Sequence, residues 1–420
     1  MQDEFAALAR EIIDFVEPGF DFLTLRASCG GGSSSVRLTS GPSEQDLRFF
    51  HQLTTLPALA EEGPVDFEMR IEADGTFEAL VAGGIIPSTG HLPPTYTVVL
   101  KPRFQPNEHK ASSLAEVEAV IGASLPAEVH ELYARGADEI GDAQLFRVDE
   151  ILGYWSDLAD IERYPLDWDR PVKYVGPPGA VRMVRFDPRW VPIASNDCGD
   201  FLCVDLAPGP NGTAGQLIQV SDEVPLTYLA GSLADWPGSS EAPDHGDLAD
   251  RFDVADRGPE GVASLQETIQ QLVLLGPGDL DFGLLSRLTA LRELTIVRGT
   301  SVRLGDLAHL PLERIEVTGA EIELPACETL TSLVVSGGAR VELPALPNLR
   351  VLDVSAVEVD VESLPQVEYL VLNAGQWQRC TQTPAAASLA GEYSLARALD
   401  WARERGAEVT GEVFRGTAAS

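Results

Sequence analysis

The most regular pattern in the chain is an apolar motif, L-x-x-L-x-L, that returns six times between residues 265 and 375. The first copy is Ile269-Gln270-Gln271-Leu272-Val273-Leu274, and the others occupy 291–296, 312–317, 330–335, 349–354 and 367–372. One copy arises readily by chance, whereas six in phase mark a repeat. The central anchors Leu272, Leu294, Ile315, Leu333, Leu352 and Leu370 are 22, 21, 18, 19 and 18 residues apart. Alternation around each last leucine pair predicts a strand per copy, and the short steps predict loops or 3₁₀ turns between strands. Residues 385–415 then predict a closing cap, with a helix over 394–405 and a strand over 408–414.

Before the repeats the hydrophobic spacing changes character. Phe5, Leu8, Ile12 and Ile13 predict an N-terminal helix. Phe20 to Ala27 alternates as a strand, Gly30 to Ser35 is a turn, and Ser43 caps a second helical pattern running to Leu56. Val65, Phe67, Met69 and Ile71 alternate up to Asp74-Gly75, with Phe77 on the return, which predicts a hairpin. A proline-rich stretch over 92–112 predicts a strand and a linker.

From 113 onward a denser α+β pattern begins. Helices are predicted from Leu114 and from Leu125-Pro126, and a strand from Leu145, Phe146 and Val148. A helix then carries Ile151, Leu152, Trp155 and Leu158. Two strands flank Asn196 to Asp200, a glycine loop runs from Pro208 to Gly215, and Gln216 to Val220 is a further strand. Tyr228, Leu229, Leu233 and Trp236 predict a last helix, and the Pro, Gly, Ser and Asp content of 238–262 predicts a linker. The expected architecture is multidomain α+β: an N-terminal module over 1–105, a central domain over 113–237, and a repeat array with its cap over 263–415.

Charge narrows the partners. The 65 acidic residues outnumber 30 basic ones, for a net charge of −35. Such a surface repels nucleic acid and anionic membranes and speeds encounter with basic proteins. The start of the chain has no basic n-region before an apolar run, so no signal peptide is expected, and no 18-residue apolar run predicts a membrane span. Five scattered cysteines, at 29, 198, 203, 327 and 380, fit reduced thiols.

The sequence carries no recognised catalytic pattern. The six histidines never pair at metal-binding spacing, and C-x-x-C, H-E-x-x-H, P-loop and G-x-S-x-G motifs are missing. Asp197, Asp200 and Asp205 do not have EF-hand spacing and read as turn-forming or partner-facing. Gly30-Gly31-Gly32 lies between strands, so it reads as a hairpin loop and not as a phosphate cradle. The chain is therefore expected to be neither an enzyme nor a cofactor protein.

Three resemblances refine this picture. Leu125-Pro126 at a helix start, Trp190 to Ala194 followed by Gly199-Asp200 and Asp205, Gly209 to Gln216, and a closing aromatic segment resemble, in order, the SUKH superfamily, which includes the yeast Smi/Knr-like regulators. The six L-x-x-L-x-L copies resemble leucine-rich repeats, although the usual asparagine is missing and Gly299 and Ser336 stand in its neighbourhood. Phe67, Arg70, Asp74, Gly75 and Phe77 resemble the late hairpin of YezG-like immunity proteins. SUKH-like and YezG-like domains imply a cytoplasmic bacterial immunity protein that binds a toxin domain, here a basic one such as a nuclease, and blocks it. The alternative is a scaffold or regulatory adaptor.

The expected partner-binding residues follow from this reading. On the central domain they are Asn196, Asp197, Asp200 and Asn211, on exposed loops between rigid strands. On the repeats they are Glu293, Arg314, Glu316, Asp353 and Tyr369, which alternation places opposite the leucines on an open strip.

Overall fold

The computed structural model describes residues 1–15, 22–30, 33–40, 43–44, 55, 59, 65–88, 95–101, 110–159, 171–196, 200–221, 225–238, 247–278, 280–391 and 393–418. It is a mixed α/β chain with several sheets and few helices.

In chain order the first elements are α1 (Gln2–Phe15), β1 (Phe22–Gly30), β2 (Ser33–Ser40), β3 (Ser43–Glu44), β4 (Val65–Glu72), β5 (Thr76–Gly83), β6 (Ile86–Ser88) and β7 (Thr95–Val99). Next come α2 (Leu114–Ile121), α3 (Ala127–Ala134), β8 (Glu139–Ile140), β9 (Ala143–Leu145) and α4 (Val148–Ala159). They are followed by β10 (Tyr174–Val175), β11 (Trp190–Ser195), β12 (Phe201–Asp205), β13 (Gln216–Val220) and β14 (Leu226–Ala230). The repeat region holds β15 (Ala249–Asp253), α5 (Val254–Ala263), β16 (Gln271–Leu275), β17 (Glu293–Arg303), β18 (Arg314–Glu323), β19 (Ser332–Arg340) and β20 (Val351–Glu358). The chain ends with β21 (Tyr369–Leu372), α6 (Ala374–Arg379), β22 (Ala386–Ala390), α7 (Leu395–Glu404) and β23 (Thr410–Thr417).

These elements fall into two compact units, one made of Met1–Lys101 with Glu368–Ser420 and the other of Pro102–Val367. In the first unit a sheet runs β23-β5-β4-β1-β2-β3. The apolar stripe of α1, with Phe5, Leu8 and Ile12 fully buried, packs on Leu23, Leu25, Phe67 and Met69. The C-terminal strand β23 completes this sheet by pairing with β5, from Thr410↔Gly83 to Thr417↔Thr76, and Phe414 lies 5.4 Å from Phe5. The strand expected over 408–414 as part of a repeat cap therefore belongs to the N-terminal sheet. Local alternation gives a strand but cannot say which edge it will join. The same unit holds β21 and β22 in parallel, and β7 antiparallel to β22.

Ser43, expected as a helix cap, lies in β3 opposite Ser40. Glu44 shares that strand, and the rest of the helical pattern up to Leu56 falls outside the described residues, apart from position 55.

In the second unit, residues 110–237 form a seven-stranded sheet ordered β10-β14-β13-β12-β11-β9-β8, with α2, α3 and α4 supplying much of its core. Each helix start has a physical cause. Ser113 caps α2 by accepting from the Glu116 N–H, and Gly122 ends it in the left-handed region. Pro126 precedes α3, where no donor is needed. The strand expected at Leu145 to Val148 ends at Leu145, and Val148 opens α4. The helix expected at Tyr228 to Trp236 is a correction: Leu226–Ala230 is strand β14, between β13 and β10. Its apolar spacing mimics a helix, but two neighbouring strands satisfy its main chain.

The repeats build parallel strands β16 to β20, with bulges where β17 meets β18 and where β19 meets β20, and Leu272, Leu294, Ile315, Leu333 and Leu352 are fully buried. The stretch 238–262 was expected as a linker, yet it supplies β15 and α5, the first of which pairs with β16. Its polar composition conceals Leu248 and Phe252, both buried. Short 3₁₀ turns occupy Phe282–Arg287, Gly305–Leu307 and Val361–Ser363.

Glycines sit at the strand corners. Gly337 has φ +124°, and a Cβ there would stand 2.0 Å from the Gly319 carbonyl oxygen. Only glycine permits that approach. Beside it the Thr318 and Ser336 hydroxyls are 2.6 Å apart.

Candidate protein-binding surface

Side chains tie the end of β11 to the start of β12. Asn196 Nδ2 donates to Asp200 Oδ2 at 2.7 Å, and the Asp200 N–H donates back to Asn196 Oδ1 at 3.3 Å. Gln219 of β13 donates to the same carboxylate at 3.0 Å. Asn196 and Asp200 are both half-buried, so these two expected partner residues bond to each other between the end of β11 and the start of β12. Asp197 lies outside the described residues.

At the other end of β12 the glycine loop folds back on Ala180. Gly209 N–H and the Gln216 amide both donate to the Ala180 carbonyl, at 2.9 and 2.8 Å. Gly212 approaches so closely that a Cβ would lie 2.0 Å from that oxygen. Asn211 is exposed, and its Nδ2 donates to the Pro178 carbonyl at 2.9 Å. Behind it the fully buried Asp205 accepts from the Ala207 N–H at 2.9 Å and from Gln216 at 2.8 Å. Burial pushes the Asp205 carboxyl above the usual carboxylate range, and these two hydrogen bonds partly oppose it.

The structure does not bring the two loops together. Asp200 precedes the first residue of β12 and the glycine loop follows its last, so the strand separates them by roughly 16 Å at ~3.3 Å per residue. A partner that contacts Asn211 meets a different end of the sheet from one that contacts Asn196 and Asp200.

The repeat strip is also less open than alternation implies. Glu293 is only 6% exposed. Arg314, itself largely buried, has its Nε 3.7 Å from Glu293 and its Nη2 2.9 Å from Glu316. Adjacent strands stand about 4.8 Å apart, so opposite charges on neighbouring rungs reach one another sideways and exclude water. Asp353 accepts from the N–H and hydroxyl of Ser355, at 3.0 and 2.7 Å. Tyr369, in the first unit, is fully buried, with its hydroxyl 2.7 Å from Ser388 Oγ. Ala386 and Ser388 on β22 are small enough to leave room for the ring. Glu293 and Tyr369 are thus corrected from open-strip to interior positions, and Glu316 and Asp353 keep partial exposure.

The only large hydrophobic residues exposed among the described ones are Met1 and Val413. Among the described residues no group of three or more His, Cys, Asp or Glu side chains is placed to hold a metal ion. Cys203, Cys327 and Cys380 are buried free thiols, and burial raises the Cys203 pKa. His130 lies 3.1 Å from Glu118, and His309 contacts the carbonyls of Asp306 and Ser286. No helix among the described residues is long and apolar enough to cross a membrane.

The segment with the clipped loop, the glycine loop and the buried Asp205 is also the segment that similarity singles out. Residues 110–237 match the SMI1 / KNR4 family (SUKH-1). Within the curated proteins, 61 residues are 43% identical to the "Cell wall biosynthesis/cell cycle regulator smi1" of Schizosaccharomyces pombe, covering 14% of this chain and 12% of that one. The "Cell wall assembly regulator SMI1" of Saccharomyces cerevisiae is 48% identical over 42 residues, which is 10% of this chain and 8% of the relative. A "KNR4/SMI1 homolog" of Yarrowia lipolytica is 42% identical over 53 residues, or 13% and 7%. The matches thus span about a tenth of each yeast relative's length. The similarity is thus to a SUKH-1 domain at residues 110–237 and not to the rest of the chain.

Proposed function

We propose that this chain is a non-catalytic, cytoplasmic protein-binding protein that neutralises a basic bacterial toxin domain by direct contact. The observation that carries the reading is the SUKH-1 domain at 110–237, because SUKH-like domains resemble immunity proteins of polymorphic toxin systems. The net charge of −35 supports a basic partner such as a nuclease, since complementary fields accelerate encounter and orient the two surfaces. Under this reading the parallel ladder is a leucine-rich-repeat solenoid with a polar face, a second surface suited to proteins. The glycine loop with exposed Asn211, and the strip carrying Glu316 and Asp353, are the contact regions that remain accessible.

A second reading, a regulatory adaptor, is favoured by the names of the yeast relatives, which are cell-wall regulators. A growth assay separates the two. The toxin-like domain encoded nearest this gene is expressed in a test bacterium with and without the full chain. Growth restored together with a co-purifying complex supports neutralisation. Continued growth arrest with both proteins folded and no complex removes that toxin as the partner and favours the adaptor.

A further inference from the structure

Strand β10 is one edge of the SUKH-1 sheet. On its inner side it pairs with β14, Tyr174 opposite Leu226, and the Leu226 N–H donates to the Lys173 carbonyl at 2.9 Å. On its outer side stand side chains from the repeat ladder. The Gln270 amide accepts from the Tyr174 N–H at 2.9 Å and donates to the Tyr174 carbonyl at 2.8 Å. That donor–acceptor pair is what a neighbouring strand would offer. Gln271 Nε2 donates to the Pro171 carbonyl at 3.1 Å, and Arg292 Nη1 to the Val172 carbonyl at 2.7 Å.

Arg292 is well placed for this. It is 8% exposed, and Glu313 grips its other guanidinium nitrogens in a bidentate pair at 2.7 and 2.6 Å. The three residues occupy repeat positions that the leucines leave free. Gln270 and Arg292 follow the first apolar residue of their copies, and Gln271 follows Gln270. At the next rungs the first of these positions is taken by Glu313 and Thr331, so the cluster belongs to the first two copies of the motif. All four hydrogen bonds address main-chain groups of 171–174. The recognition therefore requires an extended backbone at a fixed place and not a particular side chain.

An uncovered sheet edge is a template for another strand. Here two amides and a guanidinium fill it, and they arise from a different supersecondary unit 96 to 120 residues along the chain. We propose that Gln270, Gln271 and Arg292 form a latch that makes the SUKH-1 domain and the repeat ladder one cooperative body. A force or partner acting on one is then transmitted to the other through β10.

Native-state hydrogen exchange on the full chain in rising urea tests this. Core amides of β12 and β13 report the SUKH-1 domain, and those of β17 and β18 report the ladder. In the wild type both sets should exchange through one shared opening with a common urea dependence. In Gln270→Ala/Gln271→Ala, which spares the Arg292–Glu313 pair, the opening should split in two, each with a smaller urea slope. Exchange at the Tyr174 amide should rise by about tenfold. Two independent openings already present in the wild type would overturn the proposal, whether or not the variant folds. A folded variant that keeps the single shared opening would overturn it as well.

Discussion

Asp200→Ala distinguishes a side chain that holds a loop from one that waits for a partner. The carboxylate accepts from Asn196 at 2.7 Å and from Gln219 at 3.0 Å. Gln219 is 4% exposed, and its Oε1 has no hydrogen-bond partner among the described residues. Truncation strands a buried amide, which costs about 1–3 kcal/mol. It also removes the charged acceptor for Asn196, worth about 1 kcal/mol once partial exposure is discounted. The sum is about 3 kcal/mol, concentrated in the β11–β12–β13 region. Asp200→Asn retains one acceptor oxygen and should lose about 1 kcal/mol. The readout is the free energy of exchange for amides of β12 and β13, because a multidomain chain has no single unfolding energy. A loss below about 0.5 kcal/mol in Asp200→Ala, the usual range for a substitution that touches no structural feature, would refute the reasoning and return Asp200 to the partner-facing class.

Other expectations test different parts of the structure. Asp205 has a raised folded pKa, so the native state holds its proton longer than the unfolded chain does; its contribution is favourable below about pH 3.8 and is lost as pH rises through the folded value. Chemical denaturation from pH 4 to 7 should therefore show Asp205→Asn improving relative to wild type as pH rises, and a constant difference would contradict the assignment. Gly337→Ala puts a methyl group against the Gly319 carbonyl at a positive φ and should cost at least about 2 kcal/mol, seen as faster exchange in β18 and β19. Phe414→Ala removes a half-buried ring packed on Phe5 and should lower the stability of the N-terminal sheet by about 2 kcal/mol, read by exchange in β5. An unchanged β5 would mean that β23 contributes little to that sheet.

What could be read in the sequence was whatever repeats or alternates locally. The leucine anchors from Leu272 to Leu352 are all interior, as their period requires, and the motif order from Leu125 to Gln216 led to the family that residues 110–237 match. What could not be read depends on a distant partner. Nothing near Gln270 indicates that it will bond to Tyr174, and nothing near Phe414 points to Phe5. Tyr228 and Leu229 look helical until β10 and β13 are in place on either side. Alternation alone places Glu293 on the open strip, whereas its burial follows from Arg314 on the next rung, a lateral pairing that a single repeat copy does not reveal. Asn196 and Asp200 were found as a polar loop pair, yet their four-residue spacing fits both a binding loop and a self-clipped one. Only the distances separate these roles.

Under the proposed function, the acidic chain binds a basic toxin domain directly and with the help of charge. Titration calorimetry of the full chain against a purified, folded candidate toxin domain of basic charge, at low and at high salt, is the decisive measurement. A saturable complex is expected, with an affinity that falls by about tenfold or more as salt screens the acidic surface. A folded toxin domain that gives no heat and no complex at low salt, or a complex indifferent to salt, would contradict it.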